Sequence, residues 1–342
     1  MALAFKAPHV IKATYRIVTP MFIGDAEQKA SGISPASVKG ALRFWWRALN
    51  WGQIRAEIQS DTAALQRLHR EESALFGTSA DNGKAARFTL RVNTNSLKFA
   101  HATDWPHSGN DPSGYLGIGL WESGNRARDN FQPHREYITE NQTFGVELLC
   151  LPDVSAESQQ QLRDALTAWG LLGGLGSRAR RAFGAIAIES LDSTSLKFAA
   201  VTDYQAAVSK LFSSYRLATI KQAPFTSLCK ETQFSISAKI ASNARSAHAI
   251  LGQTFKDYRG QPSDLRGSKK RVFGMPYAGG TALEGNARRA SPLLFHVHPV
   301  GSQFVGATLF LPAEFHTDTA LASVDYSLAS QFLQKLPSAV LV

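Results

Sequence analysis

Arginine, glycine and serine are the residues in this sequence best suited to chemistry, and they gather in three places. The densest is Gly173-Gly174-Leu175-Gly176-Ser177-Arg178-Ala179-Arg180-Arg181-Ala182-Phe183-Gly184. Gly173, Gly174 and Gly176 let the backbone come very close to another backbone. Arg178, Arg180 and Arg181 supply charge and forked donors that match phosphate, with the Ser177 hydroxyl beside them. Together these suit a curved RNA backbone; the plainer reading is a flexible helix-to-strand turn with solvated arginines. Gly174, Gly176 and Ala179 also fit Gly-x-Gly-x-x-Ala, a dinucleotide-binding pattern. That pattern needs strand, glycine turn, then helix, whereas here a helix precedes the turn and a strand follows. No Gly-Lys-Ser/Thr follows that would make a P-loop.

The second place is a helix that opens at Ser34-Pro35, an N-cap followed by a favoured first helical residue. Lys39, Arg43 and Arg47 are four apart and so share a face, while Leu42, Trp45, Trp46 and Leu49 fill much of the rest. Such a helix can lie on a sheet and offer its charges to phosphates. Its N-terminal N–H groups and the Ser37 hydroxyl add donors. The alternative is an ordinary amphipathic helix with a solvated cationic face. The third place is Arg266, Lys269, Lys270 and Arg271, then Arg288 and Arg289, with Gly267, Gly279, Gly280 and Gly285 interleaved. A surface loop is the alternative there.

Histidine offers less. His296 and His298 share one face of a strand, but no third ligand has suggestive spacing, so a satisfied or solvent-facing pair is expected and no metal. His9, His101, His107 and His134 are scattered, and no paired acidic motif suggests two-metal chemistry. No cofactor is expected. A general acid–base ribonuclease needs only a histidine or two placed by the fold, so a metal-independent endoribonuclease stands as the alternative to a binding protein.

Charge points the same way as the motifs. Lys and Arg number 37 against 27 Asp and Glu, a formal net charge of +10. That surplus favours polyanionic partners, nucleic acid first and anionic membrane second. Cys150 and Cys229 sit in apolar, strand-like contexts without zinc or disulfide spacing, which fits a reducing cytoplasm. Met1–Lys12 lacks the apolar run of a signal peptide, and no stretch approaches the roughly 18 apolar residues of a membrane span. A cytoplasmic protein with no membrane partner is expected.

These residues need elements to hold them. With 342 residues, of which 44% are hydrophobic, the chain suits two domains with real cores. Val10–Val18 alternates as a strand, helices follow from Ser34 to about Trp51 and over Ala63–Leu75, and Phe88–Leu97 is a strand. His101–Gln142 is an irregular insertion. Phe144–Leu151 is a strand, Ser155 caps another helix, and Gly184–Ile188 returns as a strand. The order β-α-β-β-α-β is the ferredoxin-like, RRM-like arrangement of an α+β protein. A looser repeat follows: a helix over Tyr204–Leu217, a strand over Thr232–Ile240, a helix over Ala244–Tyr258. Strands at Leu293–Val297 and Gln303–Leu311 and a helix over Thr319–Leu336 complete it. The spacing places domains at 1–200, with the insertion at 101–142, and at 201–342.

Ser34-Pro35-Ala36-Ser37-Val38-Lys39-Gly40-Ala41-Leu42-Arg43 resembles the Pro-x-Ser-hydrophobic-Lys-Gly-x-x-Arg element of RAMP proteins. The run from Lys39 to Ala48, Val18–Gly24 upstream and the loop Gly173–Gly184 resemble the first RAMP subunit of the type III-B CRISPR Cmr complex. Arg289-Ala290-Ser291-Pro292-Leu293 is similar to that subunit's second-half element. The resemblance covers about residues 14–297; the insertion at 101–142 and the C-terminal stretch match nothing in it. It implies tandem ferredoxin-like domains in an antiviral ribonucleoprotein, bound to guide RNA, target RNA and other Cmr subunits. It also implies contacts near the guide 3′ end and no catalytic role. The residues expected at the RNA are Ser37, Lys39, Arg43, Arg47, Gly173, Gly174, Gly176, Ser177, Arg178, Arg180, Arg181, Lys270, Arg271, Arg288 and Arg289.

Overall fold

The computed structural model describes residues 7–25, 27, 29–80, 83–94, 97–101, 105–106, 110–120, 135–215, 217, 219, 227–260, 265, 267–275, 277, 281–336 and 339–341. Strand β1 (His9–Ile17) follows from alternation: Ile11, Ala13, Tyr15 and Ile17 point into the core. Helix α1 (Pro35–Glu57) starts where the Ser34 hydroxyl accepts the Ser37 N–H. It buries Leu42, Trp45, Trp46 and Leu49 and runs six residues past Trp51. Helix α2 (Asp61–Phe76), capped by Ser60, and β2 (Phe88–Thr94) follow.

The stretch expected to be irregular from His101 to Gln142 contains a short helix α3 (Pro112–Leu116) and the strand β4 (Glu136–Ile138), which pairs as a small ribbon with β3 (Phe99–His101) at its start. Then come β5 (Thr143–Cys150), α4 (Ala156–Leu172) behind its Ser155 cap, β6 (Ile186–Leu191) and the two-residue β7 (Thr194–Ser195). The first sheet is antiparallel in the order β2-β5-β1-β6-β7, with α1 and α4 packed together.

After α5 (Val201–Ser213) come β8 (Gln233–Ala241), α6 (Ala244–Gly260), a 3-10 helix at Gly267–Phe273 and α7 (Ala282–Asn286). Strands β9 (Leu293–Val300) and β10 (Gln303–Phe310) form a hairpin, followed by α8 (Thr319–Ala322), α9 (Ser327–Gln334) and β11 (Ala339–Leu341). The second sheet is also antiparallel, in the order β11-β8-β10-β9. The chain is therefore a mixed α+β structure with two antiparallel sheets. Thr319–Leu336 is not one helix: Ser323 is extended (ψ 121°), which breaks the run after α8.

The two halves share their interior. One apolar cluster joins Tyr15, Trp45 and Trp169 of the first sheet's layer to Tyr204, Phe234, Leu294 and Val305 of the second. Tyr15 Oη donates to Leu166 O (2.9 Å) and Tyr204 Oη to Leu171 O (2.7 Å), so α4 is tied from both sides. The segment after α4 must therefore emerge at the seam between the sheets.

Candidate nucleic-acid interface

That segment is the Gly-Arg loop, and its glycines face the protein's own backbone. Leu175 N–H donates to Gly184 O (3.0 Å), Gly184 N–H to Pro20 O (2.8 Å) and Ser177 N–H to Phe22 O (2.7 Å). Gly176 has φ +89°, and a Cβ there would lie 2.5 Å from Phe22 O. A Cβ on Gly174 would lie 2.7 Å from Gly184 O, and one on Gly173 2.7 Å from Trp169 O. The close approach read from the glycines is real, but the backbone approached is this chain's, and Gly173, Gly174 and Gly176 act by shaping the loop.

The three loop arginines part company. Arg178 is exposed, in the left-handed region at φ 60°. Arg180 donates from Nη1 to Ser291 O (3.0 Å) and lies over the Phe44 ring (5.1 Å). Arg181 turns inward, where Nη2 donates to Phe273 O (3.3 Å) and the guanidinium lies over Phe255 (4.9 Å) and Phe295 (5.2 Å). Of the three arginines read as phosphate donors, one is thus exposed, one at the edge and one inside, so Arg181 is not placed as a surface donor. Cation–π contact compensates part of the desolvation of the inner pair. Burial, and then Arg289, lower Arg180 to about 10; burial, and then Arg259 and Arg178, lower Arg181 to about 9. Burial and then Arg135 lower Arg178. Arg180 and Arg181 still carry a proton at neutral pH.

Arg135 joins this group from the end of the insertion: its Nη1 donates to Ser177 Oγ (2.6 Å). Among the described residues, no carboxylate lies within ion-pair distance of Arg135, Arg178, Arg180 or Arg181. By contrast Arg43, Arg47, Arg55, Arg67, Arg87, Arg163 and Arg245 each meet Asp or Glu. The loop is thus one place where several arginines lie together without an ion-pair partner.

Buried histidines hold both ends of the loop. His296 Nδ1 donates to Gly173 O (3.0 Å), which leaves its Nε2 to accept from His298 Nδ1 (3.1 Å). His298 stacks flat on Tyr204, with ring centroids 4.0 Å apart. At the far end His248 Nε2 donates to Arg181 O (2.9 Å), and its Nδ1 accepts from Ser113 Oγ (3.0 Å). Phe295 N–H donates to Arg180 O (3.0 Å), so strand β9 takes the loop as a neighbour. Phe183 is fully buried with the second half's aromatic cluster. The expected satisfied histidine pair is found at His296 and His298. Arg135 and His248 carried no signal in the sequence, because each meets the loop across a long chain separation.

Two of the three cations of the α1 stripe, Arg43 and Arg47, meet α2 while staying partly exposed. Arg43 Nε lies 2.8 Å from Glu72 Oε1, and its Nη2 donates to Gly77 O (2.8 Å). Arg47 Nε lies 3.4 Å from Glu72 Oε2. Glu72 is only 6% exposed, so these two arginines neutralise a buried carboxylate, a correction to the reading of both as charges held out to phosphates. Burial and then Arg43 lower the Lys39 ammonium. Ala41 and Phe44 of α1 lie beside the Gly-Arg loop, and Ser37 and Gly40 share their face of the helix at i, i+3, i+4 and i+7 spacing.

The third cluster is looser. Lys269 and Arg288 are exposed and Lys270 partly so, while Arg271 Nη1 donates to Ala320 O and Ser323 O (both 3.3 Å). Arg289 donates to Glu314 O (3.4 Å) and lies over Phe315 (5.6 Å). Arg266, Gly279 and Gly280, with His107 and His134, lie outside the described residues. Among the described residues no helix is long and apolar enough to cross a membrane, and no three His, Cys, Asp or Glu come together as metal ligands.

A family model described as the RAMP superfamily matches residues 14–187. The CRISPR system Cmr subunit Cmr1-2 of Pyrococcus furiosus is 25% identical over 182 residues, 51% of this chain and 92% of that protein. The crystal structure of apo Cmr1 from Pyrococcus furiosus superposes with TM-score 0.64 at 19% identity, covering 97% of this chain and 98% of that one. A chain of the type III-B Cmr-beta complex bound to cognate target RNA superposes with TM-score 0.59 at 12% identity, covering 97% and 99%.

Proposed function

Since the chain belongs to the RAMP superfamily, we propose that it is a non-catalytic RNA-binding subunit of a type III-B Cmr interference complex. The observation that carries this is the Gly-Arg loop, where Arg135, Arg178, Arg180 and Arg181 have no carboxylate within ion-pair distance among the described residues. A polyanion is the partner that such a surface lacks. The relatives named for the Cmr complex, one of them bound to target RNA, support guide RNA, target RNA and other Cmr subunits as its partners. Contact falls near the guide 3′ end, on guide and guide–target duplex, by backbone and shape, because base pairing carries the sequence information.

Two tandem ferredoxin-like domains, divided near residue 200, form the scaffold. Each half runs β-α-β-β-α-β, and in each the sheet orders those four strands second, third, first, fourth. Ser37, Ser177, Arg135, Arg178 and Arg180 form the centre of the RNA surface. Lys39, Lys269, Lys270, Arg271, Arg288 and Arg289 flank it. Arg43, Arg47 and Arg181 act through the fold, the last by holding the loop against Phe273, Phe255 and Phe295.

The test is binding of single-stranded RNA by the purified chain across a salt series. Affinity should fall with a log–log slope of about −0.7 per neutralised phosphate, and Arg135→Ala/Arg178→Ala should flatten it. Affinity independent of salt, or a double variant that keeps the full slope, would overturn the reading. Repeat RNA held in EDTA should stay intact; a discrete cut would make the chain a metal-independent endoribonuclease instead.

A further inference from the structure

A cavity of about 150 Å³ opens between α1 and the Gly-Arg loop, lined by Ala41, Phe44, Trp45, Gly173, Arg180 and Leu294 among others. We propose that it receives one unstacked nucleobase of a bound RNA; this rests on the RNA-binding reading above. The cavity is well below the roughly 300–1,000 Å³ of sites for larger ligands, so it suits a single flat ring.

Its walls favour a π-system. The Arg180 guanidinium and the Phe44 ring lie 5.1 Å apart, and the Ser291 carbonyl fixes the guanidinium in place. Aromatic rings and guanidinium planes are the surfaces on which single-stranded bases stack. The cavity also has a donor. Trp46 Nε1 donates to Gln161 Oε1 and Trp169 Nε1 to Gly174 O, but Trp45 Nε1 finds no acceptor among the described residues. It stands against Gly173, where a Cβ would come within 2.8 Å of it. An aliphatic side chain in the cavity would leave that N–H unmatched and the guanidinium desolvated, whereas a base brings ring nitrogens and carbonyls.

The approach is clear. Ser37 and Gly40 share the face of α1 that carries Ala41 and Phe44, and a Cβ on Gly40 would meet nothing within 4 Å. The sugar and phosphates would rest on this face, beside the Ser37 hydroxyl, while the base turns inward.

The full-length chain is tested with single-stranded RNA oligonucleotides carrying one abasic site at each position in turn. In the wild type, one position should show a loss of about tenfold in affinity, the scale of one stacked base. Phe44→Ala, and separately Ala41→Leu, which fills the cavity, should each weaken intact RNA by about the same factor at an unchanged salt slope. Both should be indifferent to the abasic site at that position. If Phe44→Ala melts early, Ala41→Leu alone decides. Folded variants that bind like the wild type, or a wild type equally tolerant of abasic sites everywhere, overturn the proposal while leaving the phosphate reading intact. Ala41→Leu that binds RNA normally but fails to join the other subunits also overturns it, since the cavity then takes a protein side chain. A wild type that binds no RNA overturns both readings.

Discussion

Acid should loosen the Gly-Arg loop, because the histidines that hold it are buried and neutral. Burial lowers His248 and His296 to about 3 from an ordinary 6.5, offset in part by the carbonyl to which each donates. The unfolded chain therefore takes up protons that the folded chain refuses. This contribution to stability is fully present above about pH 6.5 and is lost as pH falls toward 3. At about 1.4 kcal/mol per pKa unit, moving from pH 7 to pH 5 should remove about 2 kcal/mol for each histidine, roughly 4 for the two. That is a large part of the ~5–15 kcal/mol that separates folded from unfolded domains. His298, lowered by burial and then by His296 and Arg16, acts in the same direction. The measurement is the urea midpoint at the two pH values, with the m-value as a check on two-state unfolding. His248→Gln supplies a control, since its amide can donate to Arg181 O without titrating. Its midpoint should move clearly less than the wild type's. A wild-type midpoint that stays constant between pH 7 and pH 5, or a variant with the full wild-type dependence, would refute the reasoning.

Gly176→Val should destabilise the chain by about 3 kcal/mol in thermal denaturation, because the left-handed φ and the Phe22 carbonyl both oppose a Cβ. Arg43→Ala should cost about 2 kcal/mol by leaving the buried Glu72 carboxylate to Arg47 alone, and Arg43→Ala/Glu72→Gln should recover much of it in urea denaturation. Phe183→Ala should cost about 3–5 kcal/mol, measured by chemical denaturation, because the ring is fully buried among Phe22, Trp105 and His248.

Local chemistry made most of the elements legible. Ser34-Pro35 and Ser155 mark helix starts because a side-chain oxygen and a preset φ act within one turn, and both helices begin there. Alternation in β1 and β8 gave strands for the same reason: a period of two is a property of neighbours. The misses have equally local causes. Thr319–Leu336 has helical composition throughout, but Asp318 caps one short helix and Ser323 is extended, so two helices result. The strand β11 is three residues long at the chain's end, too short for any period to show.

The candidate site was less legible, and the reason lies in what charge patterns leave unsaid. Periodicity establishes that Lys39, Arg43 and Arg47 share a face of α1; it does not say what covers that face. Glu72 covers it, from the next helix, and converts two of the three cations into partners of a buried acid. The arginines of the Gly-Arg loop are adjacent in sequence yet have three different fates, set by Ser291, Phe273 and Phe295, which come from the other half of the chain. The net charge of +10 is a sum over the whole sequence. Binding depends on where that sum is left uncompensated, and this is decided by tertiary pairing. Paired acids lie on the helices, as Glu57, Asp61 and Glu72 do, and on the first sheet, as Glu147 and Glu189 do, while the loop arginines at the seam between the two sheets have no acid at ion-pair distance among the described residues. An RNA surface at that seam then needs no excess of basic residues beyond what the sequence has; it needs only that the carboxylates be spent elsewhere.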